Sequence, residues 1–407
     1  MCKEERNVAL VGAGMGNREM ITGEAKLVIE QADGIIGASR VLETFYKKGK
    51  PCYAEYRPKE IVKIIKGHPE YKRWAVVLSG DTGFYSGAKK LFGLLREEHI
   101  PAVCVPGIAS IVYLAARLGV SWEDAALRSI HGRDQNIVYA IDHYEKTFIL
   151  MDKKSAEDFC AVLKKYDFAQ VACYIGSRLS YDDERIMVRK GCEVTPEDIG
   201  ELATVLVINP CPKRRASVHI RDEEFIRNLG AARVPMTKEE VRAVSMAKLA
   251  LATDSVFYDI GAGTGSVSIE AALHSENIHA YAIEQRKEAC ELIERNKQKF
   301  RADQVTVIHG RAPEALEELE TPTHAFIGGS SGNLIEIIRC LKEKNPDITL
   351  VINAISMETI GEVMAAVKEG LLENPEMIQL NVARSRVLGD YHMMTGQNPI
   401  YIITERK

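Results

Sequence analysis

Apolar and polar positions along the first half of the chain predict strands that alternate with helices. Short apolar runs at 7–11, 74–79 and 102–105 predict buried strands, and each ends in a turn rich in glycine or proline that leads into a helical pattern. This alternation predicts a mostly parallel sheet. From about residue 147, strands follow at closer spacing with one helix at 155–166, which predicts a second α/β subdomain with antiparallel pairing.

The second half predicts seven strands with helices between the first five, the pattern of a complete doubly wound domain. The segment N-P-C-P-K-R-R at 209–215 predicts the linker between the halves. We therefore expect an α/β protein of two domains, 1–212 and 213–407. Thr237 with Glu240 predicts a capping box at the first helix of the second domain.

The stretch 256–284 carries the clearest chemical signal. An apolar run ends in G-A-G-T-G, a helical pattern follows, and a second apolar run ends on Glu284. Glycines let a backbone approach a ligand closely. An acid at the end of the second strand can accept both hydroxyls of a ribose. The stretch therefore predicts an adenosine-containing ligand across the strand ends.

The spacing of the glycines indicates which adenosine ligand is favoured. Gly261, Gly263 and Gly265 form G-x-G-x-G, whereas the dinucleotide pattern is G-x-G-x-x-G and brings a pyrophosphate to a helix N-terminus. Asp259 precedes the loop, and a carboxylate there suits a ligand with a cationic end. The pattern favours S-adenosylmethionine (SAM); another nucleotide on a Rossmann-like turn is the alternative.

Several strand ends of the first half carry polar or glycine residues. They are Gly12 and Gly14 in the first loop, Gly80 with Asp81, the run from Pro106 and Gly107 to Ser110, and His131 with Arg133. Each motif taken alone also fits a tight turn, a helix cap or a surface loop. Together they suggest a ligand-binding cleft.

Basic residues lie near predicted element ends of the second domain, namely Lys238, Arg242, Arg311, Arg384 and Arg386. Solvated charges are the default interpretation. A ligand with many carboxylates would change it, because arginine pairs carboxylates bidentately. His392 lies in the predicted loop before the last strand, where it could relay a proton or simply pack.

Composition restricts the class of protein. The 407 residues carry a net charge of −4, which gives no argument for nucleic acid or an anionic membrane. Nine cysteines are scattered without a C-x-x-C pair, so we expect no metal site and reduced thiols in a cytoplasm. The start of the chain lacks an apolar segment typical of a signal peptide, and no stretch predicts a membrane span.

Longer motifs carry a family resemblance. The segments 106–125 (P-G-I-A-S-I-V-Y-L-A-A-R-L-G-V-S-W-E-D-A), S-I-H-G-R and Y-I-G-S-R-L-S-Y-D-D-E-R-I resemble the tetrapyrrole methylase family, most closely its cobalamin-pathway branch that methylates carbon 5. M-T-K-E-E-V-R, the 256–272 stretch, A-F-I-G-G-S-S-G-N-L and V-I-N-A-I-S-M-E-T-I resemble the decarboxylating methyltransferases that act at carbon 15. Together they resemble the fused precorrin-6Y C5,15-methyltransferases (decarboxylating), over nearly the whole chain.

The resemblance implies a two-subdomain tetrapyrrole methylase fold, then a Rossmann-like SAM methyltransferase fold. It implies one SAM site at Gly80, Asp81, Pro106, Gly107 and Ser110. It implies a second at Asp259, Gly261, Gly263, Gly265, Glu284, Gly310 and Ala312. Substrate contacts would be Gly12, Gly14, His131, Arg133, Arg242 and Arg386, and catalytic candidates are His392, Arg384 and Lys238. Many family members have a proline where this chain has Met15.

The expected reaction is therefore SAM-dependent methylation of a precorrin, or its cobalt form, at carbons 5 and 15, with loss of one acetate carboxyl. Relatives are tetramers, so a homo-oligomer is expected. Two alternatives stay open: an RNA methyltransferase joined to an unrelated domain, and a SAM-sensing regulatory protein. The net charge of −4 and the lack of a basic stripe argue against the RNA enzyme.

Overall fold

A computed structural model describes the chain at residues 7–45, 49–130, 135–201, 203–213, 218–229 and 232–406. The chain divides into two compact units. Unit 1 comprises Met1–Gln135 and Tyr144–Pro212, and unit 2 comprises Asn136–His143 and Lys213–Lys407. Within the described ranges, no helix combines the length and the apolar character needed to cross a membrane.

The first sheet of unit 1 has five parallel strands in the order β3-β2-β4-β1-β5. They are β1 (Asn7–Gly12), β2 (Gly34–Gly37), β3 (Cys52–Ala54), β4 (Arg73–Leu78) and β5 (Ala102–Val105). The accompanying helices are α1 (Gly23–Gln31), α2 (Ser39–Phe45), α3 (Pro58–Gly67), α4 (Ala88–Glu97) and α5 (Ser110–Leu118). The predicted parallel sheet is confirmed, although β3 lies in the segment 47–58, whose polar sequence is typical of a loop.

The second sheet of unit 1 has the order β6-β7-β10-β8-β9. Its strands are β6 (Ala126–Ser129), β7 (Lys146–Met151), β8 (Ala172–Ser177), β9 (Arg185–Lys190) and β10 (Ala203–Ile208). Only β6 and β7 pair in parallel, so the predicted antiparallel subdomain is confirmed. In sequence, α6 (Ile137–His143) precedes β7 and belongs to unit 2, and α7 (Ala156–Lys165) follows β7.

Unit 2 is built on a seven-stranded sheet in the order β15-β14-β13-β16-β17-β21-β18. After a short pair, β11 (Asn228–Leu229) and β12 (Ala232–Arg233), come β13 (Val256–Ile260), β14 (His279–Glu284), β15 (Val305–His309), β16 (His324–Ile327), β17 (Thr349–Ala354), β18 (Glu376–Leu380) and β21 (Ile400–Glu405). The helices are α8 (Glu239–Leu249), α9 (Ser266–Leu273), α10 (Lys287–Phe300), α11 (Leu334–Lys344) and α12 (Met357–Lys368). The predicted doubly wound, seven-stranded domain is confirmed.

A two-stranded hairpin interrupts the end of unit 2. It consists of β19 (Ala383–Leu388) and β20 (Tyr391–Gly396), which pair antiparallel with each other outside the main sheet. The prediction of a loop around His392 was wrong, because residues 383–388 and 391–396 pair as antiparallel strands across a tight turn at Gly389, which has a φ of +61°. Every side chain of β20 is exposed.

The predicted capping box at the start of α8 is also absent. Lys238 is the N-cap residue and makes no side-chain cap hydrogen bond. The carboxylate of Glu240 instead accepts two hydrogen bonds from Arg384, 144 positions away in sequence. A tertiary ion pair has therefore taken the side chain that the local pattern assigned to the cap.

Candidate functional site

A cavity of unit 2 lies beyond the carboxyl ends of its parallel strands, where ligands bind in open α/β sheets. It encloses about 630 Å³. Loops after β13, β14, β15, β16 and β17 line it, together with the segment before α8 and the residues before β21. The lining residues that bear on its chemistry are Lys238, Gly261, Gly263, Glu284, Gln285, Arg286, Gly310, Arg311, Ala312, Ser331, Asn353, Gln397 and Asn398.

The loop after β13 requires its glycines. Gly261, Gly263 and Gly265 have φ of +75°, +58° and +75°, a region that favours glycine. A Cβ on Gly261 would lie 2.7 Å from the Gly329 carbonyl oxygen, and one on Gly263 would lie 2.6 Å from the Pro235 carbonyl oxygen. The glycines therefore let the backbone turn sharply and pack directly against the backbone of Gly329 and Pro235.

Glu284 ends β14 and faces the glycine loop. Its Oε2 accepts a hydrogen bond from the Gly263 N–H at 2.9 Å, and its Oε1 accepts one from the Arg286 N–H at 2.9 Å. Each carboxylate oxygen keeps a further lone pair that can accept a hydroxyl. Gly310 and Ala312 line the same end of the cavity. This arrangement fits the ribose and base of an adenosine ligand.

Asp259 does not lie where the sequence predicted a contact with the cationic end of the ligand. It is 1% exposed and does not line the cavity. Its Oδ2 accepts hydrogen bonds from the N–H and the hydroxyl of Ser268, in the first turn of α9. Because the N-cap residue of α9 is Gly265, which has no side chain, Asp259 supplies the missing helix cap.

We expect Asp259 to make the stability of unit 2 depend on pH. Burial raises its pKa from 3.8 to about 7, against the hydrogen bonds from Ser268. Between these values the folded state binds more protons than the unfolded chain, so stability falls as pH rises. In Asp259→Asn the amide oxygen can still accept from Ser268 without titrating. The unmodified protein should therefore lose up to about 1.4 kcal/mol per pH unit relative to the variant across this interval.

Urea unfolding followed by far-ultraviolet circular dichroism measures this difference. Tryptophan fluorescence would not report on unit 2, because both tryptophans, Trp74 and Trp122, lie in unit 1. The exposed Asp254, which precedes β13, provides the control variant Asp254→Asn. Parallel stability curves for Asp259→Asn and the unmodified protein would contradict the assignment.

Arg242, predicted as a substrate contact, is a structural residue. Its side chain is fully buried, with Nε 2.8 Å from the Glu270 carboxylate and Nη1 3.3 Å from that of Asp222. Burial raises the pKa of Glu270, and the charge of Arg242 opposes that rise. Removing one partner of such a buried pair leaves an uncompensated charge, so Arg242 holds the unit together and has no exposed surface for a substrate.

Three other basic candidates lie outside the cavity. Arg384 and Arg386 lie on β19 and His392 on β20, and none lines the cavity. The Arg384 guanidinium is held by Glu240 at 2.7 Å, whereas Arg386 and His392 are exposed. The contacts of this chain alone therefore give none of the three a place beside a ligand in the cavity. Lys238, by contrast, lines it, as do Arg286 and Arg311.

Unit 1 has its own cavity, of about 190 Å³, between its two sheets. Predicted residues Gly80, Asp81 and Ser110 line it from the first sheet's side. Further lining residues are Met15, Arg40, Ser79, Phe84, Ala109, Ser129, Arg178, Leu179, Tyr181 and Thr204. The Thr204 hydroxyl donates to the Ser110 hydroxyl at 2.8 Å and so connects β10 to the start of α5.

The loops after β1, β4 and β5 touch one another through glycine. A Cβ on Gly107 would lie 2.4 Å from the Gly80 carbonyl oxygen and 2.6 Å from the Gly12 carbonyl oxygen. Gly14 and Gly80 exchange backbone hydrogen bonds of 3.1 and 2.6 Å. This close approach explains why all three loops carry glycine.

Asp81 holds the loops in that arrangement. Its Oδ2 accepts a hydrogen bond from the Gly107 N–H at 3.0 Å, and its Oδ1 accepts one from the Gly83 N–H at 2.7 Å. Pro106 and Gly107 do not line the cavity themselves. They position the start of α5, where Ala109 and Ser110 line the cavity. Met15 stands at the cavity wall in place of the family's proline.

Sequence reasoning missed a cluster around Tyr181. The Arg40 guanidinium donates to the Tyr181 hydroxyl at 2.5 Å and to the Ser79 hydroxyl at 3.3 Å. Tyr181 also packs so closely on Gly16 that a Cβ there would lie 2.2 Å from its hydroxyl oxygen. Arg178 stacks over the Tyr181 ring at 4.9 Å. The Y-I-G-S-R-L-S-Y motif contains two of these residues and was the available signal.

Two predicted substrate contacts, His131 and Arg133, lie outside the described residues, which break off between 130 and 135. The described loops show three glycine motifs brought together in unit 1 and a separate glycine loop with an acid in unit 2. Each unit therefore has a cavity lined by its own strand-end residues.

Comparison with known proteins assigns both halves to families. A family model of tetrapyrrole (corrin/porphyrin) methylases matches residues 7–194, and one of a precorrin methyltransferase domain matches residues 232–407. A probable cobalt-precorrin-6B C(15)-methyltransferase (decarboxylating) from Pyrobaculum calidifontis is 41% identical over 191 residues, covering 46% of this chain and 96% of the relative. The cobalt-precorrin-6B C(15)-methyltransferase (decarboxylating) of Salmonella typhimurium is 34% identical over 189 residues, with the same two coverages.

Among solved structures, precorrin-6Y C5,15-methyltransferase from Geobacter metallireducens is 38% identical, and the match covers 46% of this chain and 95% of that one, with a TM-score of 0.42. Family membership rests on the sequence matches, which together span most of the chain. The chain therefore belongs to the tetrapyrrole methylases through residues 7–194 and to the precorrin methyltransferase domain family through residues 232–407.

Proposed function

We propose that this chain is a methyltransferase of cobalamin biosynthesis that methylates a precorrin-6Y-type macrocycle at carbons 5 and 15 and removes the acetate carboxyl of ring C. The observation that carries the proposal is the presence of two separate strand-end cavities, each in a region that matches a family of tetrapyrrole or precorrin methyltransferases. We assign carbon 5 to residues 1–212, and carbon 15 with decarboxylation to residues 213–407.

Precorrin methyltransferases of this family use SAM as the methyl donor. In unit 2 the residues fit that cofactor, since the Glu284 carboxylate has acceptor lone pairs beside a loop whose cavity-lining residues are the small Gly261, Ala262 and Gly263. When bound, SAM supplies an electrophilic methyl group. The chain's own residues bind and orient the two partners, and such positioning supplies much of the rate in a displacement reaction.

The macrocycle itself supplies the nucleophilic carbon, because its conjugated system is rich in electrons. Decarboxylation likewise leaves an electron pair that the conjugated ring can accept. The protein therefore needs to hold the substrate's remaining carboxylates, to exclude water and to leave the reacting carboxylate able to depart. Lys238 lines the unit 2 cavity from the segment before α8 and is placed to pair with a remaining carboxylate. Arg286 and Arg311 lie at the Glu284 end, where the Arg286 guanidinium is 3.6 Å from the Glu284 carboxylate.

Incubation of the purified full chain with SAM and precorrin-6Y, in metal-free and cobalt-loaded forms, tests the proposal. Methylated macrocycle with release of CO₂ is the expected outcome, and comparing the two forms identifies the natural substrate. Transfer to RNA instead, or SAM binding without any product, would overturn the proposal in favour of an RNA methyltransferase or a regulatory protein.

We also propose that the chain assembles into a homo-oligomer through the β19–β20 hairpin. An isolated two-stranded hairpin is only marginally stable in water, so it needs further contacts. This hairpin also carries large exposed apolar side chains that could make them. They are Val387 (64% exposed), Leu388 (57%), Tyr391 (74%), Met393 (53%) and Met394 (65%). A second copy of the same hairpin offers the matching apolar surface that would cover them.

The double variant Met393→Glu with Met394→Glu should dissociate this oligomer to monomers, because the added carboxylates would be buried against apolar surface. Sedimentation velocity measures the change. Met357 is 76% exposed on α12, outside the hairpin. The control variant Met357→Glu should therefore keep the assembly of the unmodified protein. A monomeric unmodified protein would contradict the proposal.

A further inference from the structure

The cavity of unit 2 has two chemically different ends. Glu284 ends β14 and Gly310 follows β15, whereas Asn353 lies on β17 at the opposite side. Three strand spacings separate β14 from β17 in the sheet order, which places Glu284 and Asn353 roughly 14 Å apart across the sheet. The Glu284 end fits an adenosine, so the Asn353 end is left for the methyl acceptor.

Asn353 is held in place at that end. It is 8% exposed, and its Oδ1 accepts a hydrogen bond from the Ser245 hydroxyl of α8 at 3.2 Å. Ser245 is fully buried. Because this bond occupies the amide oxygen, the amide nitrogen is the group left to interact with a ligand.

The Asn353 Nδ2 has no hydrogen-bond partner among the described residues. A buried donor without a partner is costly in a folded protein. Among the buried polar atoms of the described residues that lack a partner, this is the one that belongs to a residue lining the cavity. The neighbouring amides, Gln397 and Asn398, lie in the segment before β21 and are more exposed than Asn353. Asn353 is therefore the fixed donor at this end of the cavity.

We propose that Asn353 donates a hydrogen bond to the acetate carboxylate that the substrate loses. The inference rests on the proposed function and names the residue that positions the departing group. A neutral amide orients a carboxylate without the charge pairing that a lysine or arginine would add. Strong pairing with a cation would stabilise the carboxylate before reaction and so raise the barrier to CO₂ loss.

The arginines that line the cavity lie away from Asn353, as a neutral contact to the departing carboxylate requires. Arg286 and Arg311 follow β14 and β15, at the Glu284 end. The Lys238 ammonium lies 3.8 Å from the Asp222 carboxylate.

In the decarboxylation step, the bond from the acetate CH₂ to its carboxyl carbon breaks and CO₂ leaves. The electron pair enters the conjugated ring, and the CH₂ carbon then takes a proton from water to become a methyl group.

The test compares Asn353→Ala and Asn353→Asp with the unmodified full chain, measuring CO₂ release, methyl transfer at carbons 5 and 15, and SAM affinity. Asn353→Ala should slow CO₂ release by about 10-fold to 100-fold, because the carboxylate loses the orientation in which its bond can break, and a misplacement of about 1 Å can cost about 100-fold in rate. SAM affinity and carbon-5 methylation should not change. Gln379, an amide on β18 outside the cavity, provides the control variant Gln379→Ala.

The pH profile of Asn353→Asp separates a positioning role from a structural one. At high pH the new carboxylate repels the acetate carboxylate, whereas at low pH the protonated acid can donate a hydrogen bond as the amide did. CO₂ release should therefore recover as pH falls. CO₂ release unchanged in Asn353→Ala, or a loss in Asn353→Asp that does not depend on pH, would overturn this inference alone. Absence of CO₂ release from the unmodified protein would overturn the proposed function as well.

Discussion

Replacing Gly263 with arginine is expected to abolish methylation at carbon 15 and decarboxylation while leaving methylation at carbon 5 unchanged. Gly263 has a φ of +58°, and a Cβ there would lie 2.6 Å from the Pro235 carbonyl oxygen. The left-handed conformation alone costs about 1–2 kcal/mol for a residue with a side chain. The guanidinium would also crowd the cavity and disturb the hydrogen bond from the Gly263 N–H to Glu284.

Separate measurement of the two methylation positions, by fragmentation mass spectrometry of the product, checks this expectation. Gly361 offers a matched control, because it is exposed on α12 and an added Cβ there meets no atom within 4 Å. Gly361→Arg should retain all activities. Loss of carbon-5 methylation in Gly263→Arg would show that the two sites are not independent.

Replacing Gly107 with valine is expected to have the reciprocal effect, with carbon-5 methylation lost and carbon-15 methylation retained. A Cβ on Gly107 would lie 2.4 Å from the Gly80 carbonyl oxygen and 2.6 Å from backbone atoms of Gly12. These are backbone atoms that cannot rotate away, so the three loops must separate. The hydrogen bond from the Gly107 N–H to Asp81 would be lost with them.

The same product analysis applies, and Gly93→Val serves as the control because Gly93 is exposed on α4 with nothing within 4 Å of an added Cβ. Circular dichroism would verify that Gly107→Val remains folded. Normal carbon-5 methylation by Gly107→Val would show that the close contact of Gly107 with Gly80 and Gly12 is not needed for that reaction. Loss of both methylations would instead indicate that the loop affects the whole chain.

Much of the fold could be predicted because strand and helix signals are local. The apolar runs at 74–79 and 102–105 coincide with β4 and β5 within one residue. The short strand β3 and the hairpin were missed or misplaced. Cys52–Ala54 is only three residues long and sits in a polar segment, so its pairing with β2 carries no local pattern.

The site could be predicted where a turn or a strand end marks it in the sequence. Glycines in turns and an acid at a strand end can be recognised in the sequence. Gly261, Gly263 and Glu284, predicted in this way, do line the cavity. The partners of a charged side chain cannot be predicted from the local sequence when they lie far away along the chain. Arg242 pairs with Glu270 and Asp222, which lie 28 and 20 positions away, and the pattern gave no sign that all three are buried.

Asp259 illustrates the same limit at shorter range. Its position before the glycine loop suggested a ligand contact, whereas the absence of a side chain on Gly265 makes it the cap of α9. Asn353 was overlooked for the converse reason. Its importance depends on Ser245, 108 positions away, which fixes one end of the amide and leaves the other without a partner.

If one chain carries two separate methyl-transfer sites, one of which also decarboxylates, the stoichiometry of the product is fixed. The most direct measurement is the stoichiometry of product formed by the full chain from precorrin-6Y and SAM carrying an isotopically labelled methyl group. We expect two labelled methyls gained, at carbons 5 and 15, and one CO₂ lost per macrocycle. A product that stops at one methyl with its acetate intact, at saturating SAM, would contradict it.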